Sequence, residues 1–97
     1  MPLQHSELDR RSLAIHRLAV EKIEREPKLL SRARATLARW RAASSARTTP
    51  ALDEWQRLLD ADGGRGALAM ALEDTERAAQ LRQSSPLACL LTSQERI

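Results

Sequence analysis

At 97 residues the chain is long enough for one small domain and too short for two, and its one cysteine, Cys89, excludes an intrachain disulfide. The hydrophobic fraction of 42% comes from Leu, Ala, Ile and Val with only Trp40 and Trp55 as aromatics, so the expected core is aliphatic and its stability modest. The net charge of +3 hides a division: residues 1–26 balance five basic against five acidic side chains, 27–52 hold six basic and none acidic, and 53–97 hold five basic and eight acidic.

Apolar residues at helical spacing predict an all-α domain, a small bundle of about four to five helices, with no strand-like alternation and no internal repeat. The first helix is expected over 6–26. Ser6 stands as its cap with Asp9 three residues on, Leu8, Ile15, Ala19 and Ile23 share one face, and Leu13, Val20 and Leu18 form flanking stripes. Pro27 disfavours helical geometry at Glu26 and then suits the first turn of a second helix over 28–44. Leu30, Ala33, Leu37 and Trp40 form that helix's apolar stripe, with Lys28, Arg32 and Arg39 roughly opposite and Arg34 and Arg41 on its flanks. Thr49-Pro50 restarts the chain as cap and first helical residue of a helix over 50–61, whose apolar positions are Leu52, Trp55, Leu58 and Leu59. All three glycines fall in Gly63-Gly64-Arg65-Gly66, the clearest turn in the sequence. A further helical stretch is expected over 67–83, either continuous or restarted with a cap at Asp74, until Ser84-Ser85-Pro86 stops it. In the last segment, 87–97, Thr92 and Glu95 have capping-box spacing, which predicts either a short final turn or a tail that orders on a partner.

Sequence offers little chemistry. Asp60-Ala61-Asp62-Gly63 fails as a calcium loop, because position six from Asp60 is Arg65 and position twelve is Ala71. The glycine cluster lacks the Gly-Lys-Ser/Thr of a phosphate loop. His5 and His16 are too far apart for a compact metal pair and are expected at the surface, whereas Cys89, among Leu87, Leu90 and Leu91, is expected to be buried. No nucleophile stands with a base and an orienting group, so the reading is a non-enzyme without catalytic residues, metal site or cofactor. The strongest signal is the acid-free segment from Pro27 to Leu52, which carries Lys28, Arg32, Arg34, Arg39, Arg41 and Arg47. Such a run can be no more than the solvated outer face of an amphipathic helix, or its one-signed field can meet an anionic partner, for which an acidic protein surface and a nucleic acid are both candidates. The acidic C-terminal part makes a uniformly polyanionic partner less attractive than docking in one fixed orientation. His5, Glu7, Asp9, Arg10 and Arg11 interrupt any apolar leader, and no stretch approaches the roughly 18 apolar residues of a membrane span, which gives the expectation of a cytoplasmic chain without membrane contact.

Two stretches carry a resemblance. One is Leu37-Ala38-Arg39-Trp40-Arg41, and the other runs from Glu76 through Leu81-Arg82-Gln83-Ser84-Ser85-Pro86 to Leu90-Leu91-Thr92-Ser93-Gln94-Glu95-Arg96. Together, from about Glu21 to the C-terminus, the chain resembles small helical bacterial antitoxins encoded beside nucleotidyltransferase-like toxins. It departs from that pattern at Leu87, where an aromatic residue is expected. The resemblance implies a hetero-oligomer in which this chain neutralises a cognate toxin by occluding its active or substrate site. The expected contacts are Lys28, Arg32, Arg34, Arg39, Arg41 and Arg82, together with the turn Ser84-Ser85-Pro86 and an apolar anchor of Leu87, Leu90 and Leu91. A small nucleic-acid binder or operon autorepressor, using the arginine-rich helix, is the alternative.

Overall fold

The computed structural model describes residues 3–47 and 49–96, with side chains from Asp9 onward. Among the described residues five helices follow one another: α1 (Leu3–Arg25), α2 (Leu29–Ala43), α3 (Thr49–Asp60), α4 (Arg65–Leu72) and α5 (Glu76–Arg82). Short 3-10 turns at Ala61–Gly64 and Ala88–Leu90 join or follow them, and no strand occurs among the described residues. The all-α expectation therefore holds, and so do the breaks at Pro27, at the glycines and at Ser84.

Helix α1 starts at Leu3, so Ser6 lies inside the helix and does not cap it. It buries Ala19, Val20 and Ile23, leaves Ile15 half-covered, and exposes Leu18, whose flanking stripe no neighbour takes up. At Pro27 the chain turns through hydrogen bonds from Leu29 N to Glu26 O (3.0 Å) and from Leu30 N to Pro27 O (3.1 Å), which lead directly into α2. Helix α2 buries Leu29, Ala33 and Leu37, so its inner stripe begins one residue earlier than the spacing from Leu30 suggests. Thr49 has a different role from the one expected. Its hydroxyl donates to Ser45 O at 2.8 Å, which ties α3 back to the preceding loop.

Helix α3 is the centre of the packing. Leu52, Trp55, Leu58 and Leu59 are buried, and the Trp55 indole donates to Leu81 O at 2.8 Å, fixing α3 against α5. The turn after α3 reverses the chain in three consecutive left-handed residues, Asp62 (φ 51°), Gly63 (φ 66°) and Gly64 (φ 96°). The positive φ calls for glycine at the last of these, and a Cβ there would lie 2.9 Å from Leu30 Cδ1, so that side chain would have to shift. The final helix restarts after α4 with Thr75 as its cap, its hydroxyl accepting from Ala78 N at 3.1 Å. The cap expected at Asp74 thus lies one residue further on, because Thr75 is the residue with extended backbone.

Packing pairs α2 with α3, sets α1 against α4 and α5, and lays the last 3-10 turn across both α1 and α2. The C-terminal segment therefore closes the bundle. Thr92 N donates to Glu95 Oε1 (2.8 Å) while Glu95 N donates to Thr92 Oγ1 (3.2 Å), so the reciprocal box forms although only a turn follows it. Lys22 then latches the tail to α1 by donating to Leu90 O (3.0 Å) and Glu95 Oε1 (2.8 Å). This latch holds the Glu95 carboxyl below its ordinary range.

Candidate protein-docking surface

The acid-free segment separates into two classes of cation. Arg34 and Arg41, on the flanks of the apolar stripe, reach across to α3. Arg34 Nη2 donates to Leu59 O and its Nε lies 4.0 Å from Asp60, while Arg41 Nη2 is 2.6 Å from Asp53 Oδ1. Both are therefore engaged within the fold. Lys28, Arg32 and Arg39 are exposed, and among the described residues none of them has a carboxylate partner; Arg39 donates only to the Thr36 hydroxyl, at 3.4 Å. At 100° per residue these three lie within about 40° of one another and span roughly 16 Å of helix. They form a straight cationic row on the outer face of α2.

Past the Arg39 end of this row lies an open cleft of about 330 Å³ lined by Trp40, Ala43, Ser44, Leu52, Gln83 and Ser84. It opens between the C-terminal end of α2, the start of α3 and the residues just after α5. Trp40 is half-buried: it packs against the core and also walls the cleft, where full burial with Leu37 was expected. By angle Trp40 lies between Leu29 and Ala33, inside the buried arc of α2, so its partial exposure comes from its place on the last turn of the helix, where the cleft opens. A second cleft, of about 340 Å³, lies on the other side of α3's first turn, lined by Pro50, Ala51, Glu54, Arg77, Gln80 and Leu81. There Glu54 accepts from both Arg57 and Arg77, and these bonds hold its carboxyl below the usual range. That cleft's charges are satisfied internally.

The C-terminal block is placed differently from the expectation. Arg82, Ser85, Pro86, Leu87, Leu90 and Leu91, expected to face a partner, are all buried in the chain's own fold. Arg82 turns inward and donates to Ala71 O (3.3 Å) and Glu73 O (2.7 Å), the carbonyls at the C-terminal end of α4. Ser85 Oγ accepts from Leu87 N at 3.0 Å, and the tight turn tucks Leu87 fully into the core. Of that block only Ser84 remains at the surface, half-buried at the rim of the Trp40 cleft. Cys89 is the mirror case: expected inside, it is exposed, because the 3-10 turn sends Leu87, Leu90 and Leu91 inward and Cys89 outward.

His16, expected at the surface, is buried, and it was the residue that sequence reasoning most clearly missed. Its Nδ1 lies 2.7 Å from Ser12 O; a carbonyl only accepts, so Nδ1 carries the proton and Nε2 is an acceptor. Neither His16 Nε2 nor Arg82 Nε has a partner among the described residues. Burial pushes the His16 pKa down, and the nearby Arg82 charge adds to that. The one available signal was its spacing of three and four residues from Ala19 and Val20, which puts it next to the buried face. His5 is outside the described side chains.

Among the described residues no three His, Cys, Asp or Glu side chains converge as metal ligands, and no helix is long and apolar enough to cross a membrane. Comparison with known proteins returns no matching family, no matching curated protein and no matching solved structure.

Proposed function

We propose that this chain is a non-catalytic binding protein that neutralises a nucleotidyltransferase-like toxin by covering its active or substrate site. The observation that carries the reading is the division of the α2 cations. Arg34 and Arg41 are tied to α3, whereas Lys28, Arg32 and Arg39 stand as an exposed row with no carboxylate partner among the described residues. An unneutralised row on a rigid helix is suited to steering and orienting an acidic partner. A nucleotide-transferring enzyme carries carboxylates at its catalytic centre, which gives such a row a target. The resemblance of Leu37–Arg41 and of the 76–96 block to toxin-neutralising proteins supplies the partner class. The burial of that block changes its role: it builds and closes the bundle, and the docking surface falls on α2 and the Trp40 cleft.

The test is co-expression with the product of the neighbouring gene. Growth arrest by that product alone, relief by this chain, and a complex that survives size-exclusion chromatography are the expected results. Undiminished arrest with no complex would sink the proposal. Binding to promoter DNA in its place, with an affinity that falls with salt at a log–log slope of about −0.9 per neutralised phosphate, would favour an operon autorepressor.

A further inference from the structure

The cationic row and the Trp40 cleft belong to one surface. Relative to Lys28, Arg32 and Arg39, Ala43 sits about 20–60° further round α2 and Trp40 about 80–120°, on the same flank. Ala43 and Trp40 both line the cleft, so the row leads along α2 towards it, with Arg39 at the near end and Lys28 about 18 Å up the helix from Trp40. The cleft floor is apolar, formed by Trp40 and the buried Leu52. Its rim is neutral and polar, from Ser44, Gln83 and Ser84, and Ser44 Oγ is already engaged with Arg41 O at 3.0 Å. Among the described residues no ionised side chain lines it. An apolar slot with a line of cations leading away from it along α2 is matched by a segment with the opposite arrangement.

We infer that this surface takes an amphipathic, acidic segment of the partner protein, with one large apolar side chain seated against Trp40 and a line of carboxylates along Lys28, Arg32 and Arg39. This rests on the neutralisation reading above and deepens it by naming the segment the partner presents. The aromatic wall supplies the anchor, since a buried aromatic pocket ringed by polar groups is the usual centre of a binding interface. The cations set the direction in which the segment lies, because reversing it would move its carboxylates away from the row. A nucleic-acid duplex fits less well: it offers phosphates to the row, and its paired bases are not free to fill an apolar slot.

The experiment measures affinity between the full chain and the purified product of the neighbouring gene, by calorimetry at two salt concentrations. Three proteins are compared with the unaltered chain. K28E/R32E/R39E reverses the row, A43E places a carboxylate at the cleft mouth on an exposed residue, and R11E/R17E/R25E makes the same charge change on exposed positions of α1. Circular dichroism confirms that each is folded. The inference predicts binding about tenfold or more weaker for the row reversal and for A43E, with the α1 variant close to the unaltered chain. Equal binding by all four would overturn the inference while leaving neutralisation standing. Failure of the unaltered chain to bind or neutralise would remove the underlying reading as well. Loss of duplex DNA binding in the row reversal, with protein binding unchanged, would assign the row to nucleic acid and overturn the inference.

Discussion

Truncating Leu87 separates a core role from a docking role at the place where they diverge most. Leu87 has 0% exposure, and its position is fixed by backbone: its N–H donates to Ser85 Oγ at 3.0 Å and its carbonyl accepts from Leu90 N at 3.0 Å. A residue held by a tight turn has little freedom to collapse into the space a smaller side chain leaves. Leu→Ala at a buried site costs about 2–5 kcal/mol, the upper part applying where the site cannot relax. The value expected for L87A is therefore about 3 kcal/mol or more, a large share of the roughly 5–15 kcal/mol available to a domain of this kind. For domains of 60–100 residues each kcal/mol moves the melting temperature by about 4–8 °C, so the midpoint should fall by about 12–24 °C. Urea and thermal unfolding followed by circular dichroism at 222 nm give the number. A change below about 0.5 kcal/mol, the range of an ordinary surface substitution, would refute the buried placement and return Leu87 to the partner surface.

Further outcomes follow from the same geometry. His16 is buried and neutral with its pKa depressed, so the unfolded chain takes up a proton that the folded chain rejects; stability from this source is complete above about pH 6.5 and falls as the pH drops towards the folded value. Urea midpoints at pH 7.5 and 5.5 should differ in the parent and converge in H16Q, and equal pH dependence in both would contradict the assignment. At the glycine turn G64A should cost about 1–3 kcal/mol, because it combines a positive φ with contact on Leu30, and G63A, with the same hand of backbone but open space, should cost less. An equal loss in both would show that the Leu30 contact is unimportant. K22M should speed amide exchange at Thr92 and Glu95 by releasing the tail latch, while leaving most of the melting temperature intact. Unchanged exchange there would mean that the latch does not hold the tail.

The elements were legible because their signals are local. Pro27, the glycine run and the Ser84-Ser85-Pro86 stop act within a few residues, and the Thr92–Glu95 box needs only a spacing of three. Trp55 was legible as core because its stripe continues through Leu52, Leu58 and Leu59. The candidate site was harder to read for two reasons. First, helical periodicity assigns faces within a helix and says nothing about a segment such as Leu87-Ala88-Cys89-Leu90-Leu91, where a single 3-10 turn decides which residues enter the core. Second, the partners that sort the arginines lie elsewhere in the chain. Arg41 finds Asp53, Arg34 finds the Leu59 carbonyl, and Arg82 finds the end of α4, so six cations that look alike in sequence become an exposed row and a set of internal ties. Lys28, Arg32 and Arg39 could be grouped from spacing alone, but that none of them has a carboxylate partner among the described residues is a property of the fold.

The most direct measurement uses the two indoles as reporters. Trp55 is buried with its N–H on Leu81 O, while Trp40 walls the open cleft. In a ¹H–¹⁵N spectrum of the labelled chain, with W40F identifying the Trp40 indole signal, unlabelled neighbouring-gene product is added to saturation. A shifted Trp40 indole and shifted amides along Lys28–Ser44, with the Trp55 indole unmoved, is the predicted result. An unmoved Trp40, with the changes gathered around exposed Leu18 and Leu72 on the α1 and α4 surfaces, would contradict the account.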